Sequence, residues 1–151
     1  MDVHQAYPIE VIKVEPYTAD SDCAAVTLRS AQAPWAALLN GTVEDNLRFP
    51  FSLKTSRKRH FDLTTVTTLL GHAGKNPDFL AKRAADLSGG ESQVVSLIRT
   101  LQLNPEVLLL DEPTAALDPT SSREVEALID AWFAGDPSRA CIWVSHDLDQ
   151  A

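Results

Sequence analysis

Two adjacent carboxylates, Asp111 and Glu112, follow directly on the apolar run at 107–110 (VLLL). Acids that end a buried strand are costly to ionise unless a cation or a substrate proton uses them. A strand-end Asp can hold Mg²⁺, and a Glu beside it can orient and deprotonate a water that attacks a phosphoryl group. The same pair can instead stabilise a helix N-terminus, although Pro113-Thr114 sets the next helix start later. A second place is Leu87-Ser88-Gly89-Gly90-Glu91. Two glycines ahead of a helix let backbone N–H groups face an anion, and Ser88 can donate to a phosphate oxygen. Ser88 with Glu91 three residues on also reads as a capping box. His146, just past the apolar run 140–144 (ACIWV), can contact a phosphate or stand as an exposed loop residue. Gln32, after residues 24–28 (AAVTL), can touch Mg²⁺ or an attacking water, or cap a turn.

These residues need strands and helices to hold them. Residues 24–28 read as a short buried strand. From 42 to about 87 the pattern is helical, interrupted at Pro50 and at 71–77, with Phe61, Val66, Leu69 and Leu70 on one apolar face. Ser88-Gly89-Gly90 opens a helix in which Val94, Val95, Leu97, Ile98 and Leu101 recur at helical spacing, and Asn104-Pro105 closes it. The run VLLL is too short for a helix between Pro105 and Pro113, so it reads as a strand buried on both faces. Asp118-Pro119 starts another helix with Val125, Leu128, Ile129, Trp132 and Phe133 inward, ended by Gly135-Asp136-Pro137 before the buried strand ACIWV. Strand, helix, strand in this order predicts an α/β fold with a parallel sheet. In such sheets ligands gather at the carboxyl edge, where Asp111 and Glu112 would lie.

Taken together, LSGGESQ at 87–93, VLLLDEPTAALD at 107–118 and WVSHD at 143–147 resemble the ATP-binding-cassette (ABC) ATPases, in that family's order and spacing. Gln32, about fifty-five residues ahead, is similar to the family's Q-loop glutamine. The resemblance covers roughly residues 24–147 and implies a P-loop NTPase fold with an ABC-type helical subdomain. It implies Asp111 as the Walker B aspartate serving Mg²⁺, with Gln32 also near the metal, and Glu112 as the catalytic glutamate. His146 becomes the switch histidine. Ser88, Gly89, Gly90 and Glu91 form the signature that faces ATP held by another subunit, and Asp118 ends the D-loop at the dimer contact. The implied organisation is a divergent segment 1–22, a first core strand and Q-loop at 23–41, a helical subdomain at 42–86, and the signature, Walker B, D-loop and switch core at 87–151. The stretch 41–50 (GTVEDNLRFP) looks like transporter ATPases, especially small bacterial subunits of iron export. ATP and Mg²⁺ are the implied cofactors. A transmembrane transporter subunit and a second ABC ATPase subunit, or self-association, are the implied partners.

The 151 residues contain no GxxxxGK[ST] phosphate loop; Gly71-His72-Ala73-Gly74-Lys75-Asn76 has the wrong glycine spacing and reads as a turn. The expectation is therefore a partial fold, truncated or a fragment, without the Walker A strand and helix, that binds ATP weakly alone. A non-catalytic module pairing with an intact ABC ATPase is the alternative. A net charge of −8 disfavours nucleic-acid binding, and with it an ABC-type protein of DNA repair or translation. Cys23 and Cys141 have no metal-type spacing and read as core thiols of a reducing compartment. No apolar run reaches the roughly 18 residues of a membrane span. The expected location is cytoplasmic, at the inner face of the membrane through a partner.

Overall fold

The computed structural model describes residues 25–28, 38–53, 60–111, 113–115 and 117–144. Three strands, β1 (Ala25–Leu28), β2 (Val107–Asp111) and β3 (Ala140–Val144), form a parallel sheet in the order β1-β2-β3. Leu28 lies opposite Leu110 and Asp111 opposite Val144, so the carboxyl ends of all three strands share one edge. The α/β parallel architecture expected from the strand-helix-strand order is the one observed.

Among the described residues, four α-helices complete it: α1 (Val43–Ser52), α2 (Leu63–His72), α3 (Gly89–Leu101) and α4 (Pro119–Ala134). Each begins at a polar cap that satisfies N–H groups the helix itself cannot. Thr42 and Asp45 form a reciprocal box on α1, and Asp62 accepts from Thr64 N and Thr65 N on α2. Gly41 precedes the α1 box with φ +147°, where a Cβ would press on the Asp45 carboxylate at 2.8 Å. Asn46 is fully buried in α1, accepting from Leu39 N at 2.6 Å and donating to Leu39 O and Thr42 O. It pins the chain entering the helix.

The core centres on α3. Val94, Val95, Leu97 and Ile98 are fully buried, and α3 packs against α1, α2 and α4. Across it stand Val43, Leu47, Val66 and Leu70, and on the α4 side Val125, Leu128, Ile129 and Trp132.

Several expectations need correction. Pro50 lies within α1 rather than ending it; only two residues follow, so the missing N–H forfeits a single bond in the last turn. The later part of the 42–87 stretch is two short 3-10 helices, Pro77–Ala81 and Ala84–Asp86. Phe133 is 52% exposed, because the turn of α4 that buries Trp132 carries the next residue outward. In β2, Leu108 and Leu110 are buried but Val107 and Leu109 only half-buried. In β3, Ile142 is 56% exposed and Cys141 and Trp143 half-buried, so this strand is covered on one face rather than two. Cys141 is a free thiol whose pKa burial pushes up; Cys23 lies outside the described residues. Among the described residues, no helix is long and apolar enough to cross a membrane.

Candidate functional site at the carboxyl edge of the sheet

Asp111 closes β2 at the carboxyl edge, with its backbone placed but its side chain outside the described residues. Gln32, Glu112 and His146 also lie outside them. The described part of the site is the start of α3 and the start of α4.

Ser88 is the N-cap of α3. Its Oγ accepts from Glu91 N at 3.1 Å, while Glu91 Oε2 accepts from Ser88 N at 2.8 Å. The capping box read in the sequence is therefore built, yet it leaves the Ser88 hydroxyl proton free of that bond, since the oxygen serves as acceptor. Ser88 and Gly89 are exposed, and a Cβ on Gly89 would meet nothing within 4 Å. Gly89 and Gly90 are the first helical residues, whose N–H groups have no carbonyl one turn earlier in the helix. The same turn thus carries a built capping box and N–H groups without an acceptor inside the helix.

Glu91 is engaged on both carboxylate oxygens. Lys82 Nζ donates to its Oε1 at 2.8 Å and Oε2 at 2.7 Å. Desolvation works to raise the Glu91 pKa, but the Lys82 bond, the Ser88 N–H and the nearby lysine charges outweigh it, and the carboxyl sits below its ordinary value. Asp118, the N-cap of α4, is likewise engaged. Ser121 Oγ donates to its Oδ2 at 2.6 Å, and Thr120 N and Ser121 N donate to Oδ1. Ser121, first by its hydroxyl and then by its N–H, holds the Asp118 pKa below its usual range.

The starts of α3 and α4 meet. Gly90 is buried, and a Cβ there would overlap Ser121 Oγ and Cβ. Gln93, 2% exposed, donates from Nε2 to Pro113 O at 3.0 Å, two residues beyond Asp111 in the chain. Ser88 to Gly90, Asp118 and the segment leaving β2 are thereby gathered near one edge. Sequence reading missed Gln93, Ser121 and Lys82. Gln93 had a signal: it stands directly before Val94-Val95 and one helical turn ahead of Leu97, on the side of the helix that carries the apolar residues.

Gly71 to Gly74 is the closing turn of α2, with Gly74 at φ +65°. Lys75 Nζ pairs with Glu124 at 2.6 Å, so it is engaged by α4 as the turn reading of this stretch requires. Two surface concavities of about 450 and 440 Å³ lie elsewhere, sharing Gln102, Asn104 and Arg139. Asn104 and Arg139 flank the amino ends of β2 and β3, the edge opposite Asp111. Ser88, Asp118 and the carboxyl end of β2 meet at Asp111's edge, and that edge is the better candidate despite these hollows.

A family model described as ABC transporter matches residues 24–115. The chain is 41% identical over 120 residues to the probable iron export ATP-binding protein FetA of Escherichia coli (strain K12), covering 80% of this chain and 51% of that one. It is 43% identical over 121 residues to the nickel import ATP-binding protein NikO of Rhodobacter capsulatus, covering 78% and 46%. It superposes on the dimeric ATP-binding cassette MJ0796, solved in a post-hydrolysis state with ADP and Pi, with a TM-score of 0.64 at 22% identity, over 84% of this chain and 54% of that one. The chain spans about half the length of the curated relatives it matches.

Proposed function

The chain belongs to the ABC transporter ATP-binding family, and from that premise we propose that it acts as the signature-bearing part of a subunit coupling ATP hydrolysis to transport. In this reading Ser88 and the Gly89 and Gly90 N–H groups receive the terminal phosphate of ATP bound to a second ABC ATPase subunit. The observation that carries it is the exposed, capped start of α3, where a hydroxyl proton and N–H groups stand clear of the helix's own bonds.

Oxygen donors at a strand end suit Mg²⁺, and Asp111 is the residue proposed to hold it. The ion would neutralise charge on phosphate oxygens. Glu112 orients and deprotonates the attacking water; His146 and Gln32 contact the phosphate and that water. Glu91 and Asp118 act indirectly, by fixing the helix starts that present their neighbours. Subunits of this family pair with one another and with transmembrane subunits. A peripheral place at the inner membrane face, and metal-ion export of the kind FetA is named for, belong to the same proposal.

A second reading is a non-catalytic module that completes the site of an intact ABC subunit, a role the exposed start of α3 would serve without chemistry on this chain. ATP titration of the purified chain, alone and mixed with an intact relative, tests both. The proposal expects weak binding alone and ATP-dependent pairing in the mixture, lost in Ser88→Arg. Pairing that ignores ATP, or that survives Ser88→Arg, would sink the phosphate-facing role.

A further inference from the structure

Two glycines stand side by side at the start of α3, and their surroundings differ. Gly89 opens on empty space, whereas Gly90 is buried where a Cβ would overlap Ser121 Oγ and Cβ. Ser121 Oγ in turn donates to Asp118 Oδ2 at 2.6 Å. One turn further along α3, Gln93 Nε2 donates to Pro113 O at 3.0 Å. Gln93 Oε1 is buried without a hydrogen-bond partner. A buried carbonyl left unpaired is costly; a methionine of similar length would remove Oε1 but leave Pro113 O without its donor.

The geometry points to a clamp in which α3 grips both ends of the connection from β2 to α4, with Gln93 as a positioning residue for the acidic edge. One jaw is Gln93 on Pro113, the residue after Glu112; the other is Gly90 against Ser121, beside Asp118. The clamp makes the phosphate-facing turn of α3 and the exit from β2 one mechanical body. Its relevance to catalysis rests on the function proposed above, but its existence does not. Gly90 is glycine because α4 approaches there, a demand separate from any made by a ligand at Gly89.

Hydrogen exchange on the 151-residue chain without nucleotide tests it. Gln93→Met is expected to raise exchange at the amides of 114–118 about tenfold, the scale of one lost hydrogen bond, with exchange in α2 little changed. Gly90→Ala is expected to lower the melting temperature, and Ser121→Gly in the same chain to recover most of the loss by removing both overlapping atoms. Wild-type exchange at 114–118 in Gln93→Met, or a uniform rise across all helices, would overturn the Gln93 jaw. Failure of Ser121→Gly to rescue Gly90→Ala would overturn the other. Because no step uses ATP, failure of ATP-dependent pairing would sink the functional reading and leave the clamp standing.

Discussion

Ser88 is the cap of α3 and, in the proposed function, a phosphate donor, and the chemistry of its hydroxyl lets the two be separated: the oxygen accepts from Glu91 N, and that bond does not use the proton. Ser88→Ala should cost about 1 kcal/mol as a lost cap, and Ser88→Gly only a few tenths. Both should weaken ATP-dependent pairing alike, because both lack the donor. Urea unfolding read beside the pairing assay separates the two roles; a pairing defect that follows stability would show the cap to be the whole story. The carboxylates at the helix starts give a pH signature. Glu91, Asp118, Asp45 and Asp62 all titrate below their ordinary values in the folded chain. The unfolded chain therefore takes up protons first as pH falls, and the stability these groups contribute, complete above about pH 5, drains away below it. The urea midpoint should fall from about pH 5 downward. Lys82→Met should move the Glu91 titration upward in a carboxyl NMR titration, because it removes one of the partners that together outweigh desolvation.

At the scale of elements, α3 organises the molecule: it is buried along most of its length, and three other helices lean on it. Leu97→Ala should cost about 2–5 kcal/mol by denaturant unfolding, since Leu97 is fully buried and the packed core around it cannot collapse completely into the gap. Neighbouring aromatics on α4 make a sharper contrast. Trp132, 4% exposed, should cost about 3–5 kcal/mol on replacement by alanine. Phe133→Ala should cost less than about 1 kcal/mol, because half of that ring already faces water. Equal losses would mean that Phe133 is covered in solution.

For the molecule as a whole, ATP handling and association are the open quantities. Phosphoryl transfer relies on positioning and charge neutralisation, and carboxylates facing a triphosphate without a phosphate-loop lysine repel it. The purified 151-residue chain should show negligible turnover; turnover that Glu112→Gln abolishes would refute this. Phe133 and Ile142 expose apolar surface on α4 and on β3, the last strand of the described sheet. Phe133 lies on the side of β3 that carries Cys141 and Trp143, and Ile142 on the other, so self-association would cover one or the other. The double variant Phe133→Lys/Ile142→Lys should shift sedimentation toward monomer, and an unchanged profile would place the contact elsewhere.

Much of this was legible before any coordinates. The helix starts at Ser88 and Asp118 and the strand at 107–111 follow from local rules: caps, prolines and short apolar runs act within a few residues and are written consecutively in the chain. The family, too, is carried by three contiguous motifs. What needed the tertiary structure was every relation between segments distant in sequence. Gln93 reaches Pro113, Gly90 admits Ser121, Lys82 engages Glu91 and Lys75 finds Glu124 only because folding brings their helices and loops together. Periodicity marks the side of a helix that is apolar, but how far that side is covered depends on what packs against it. So Phe133 and Ile142, apolar by type, were expected inside and stand at the surface.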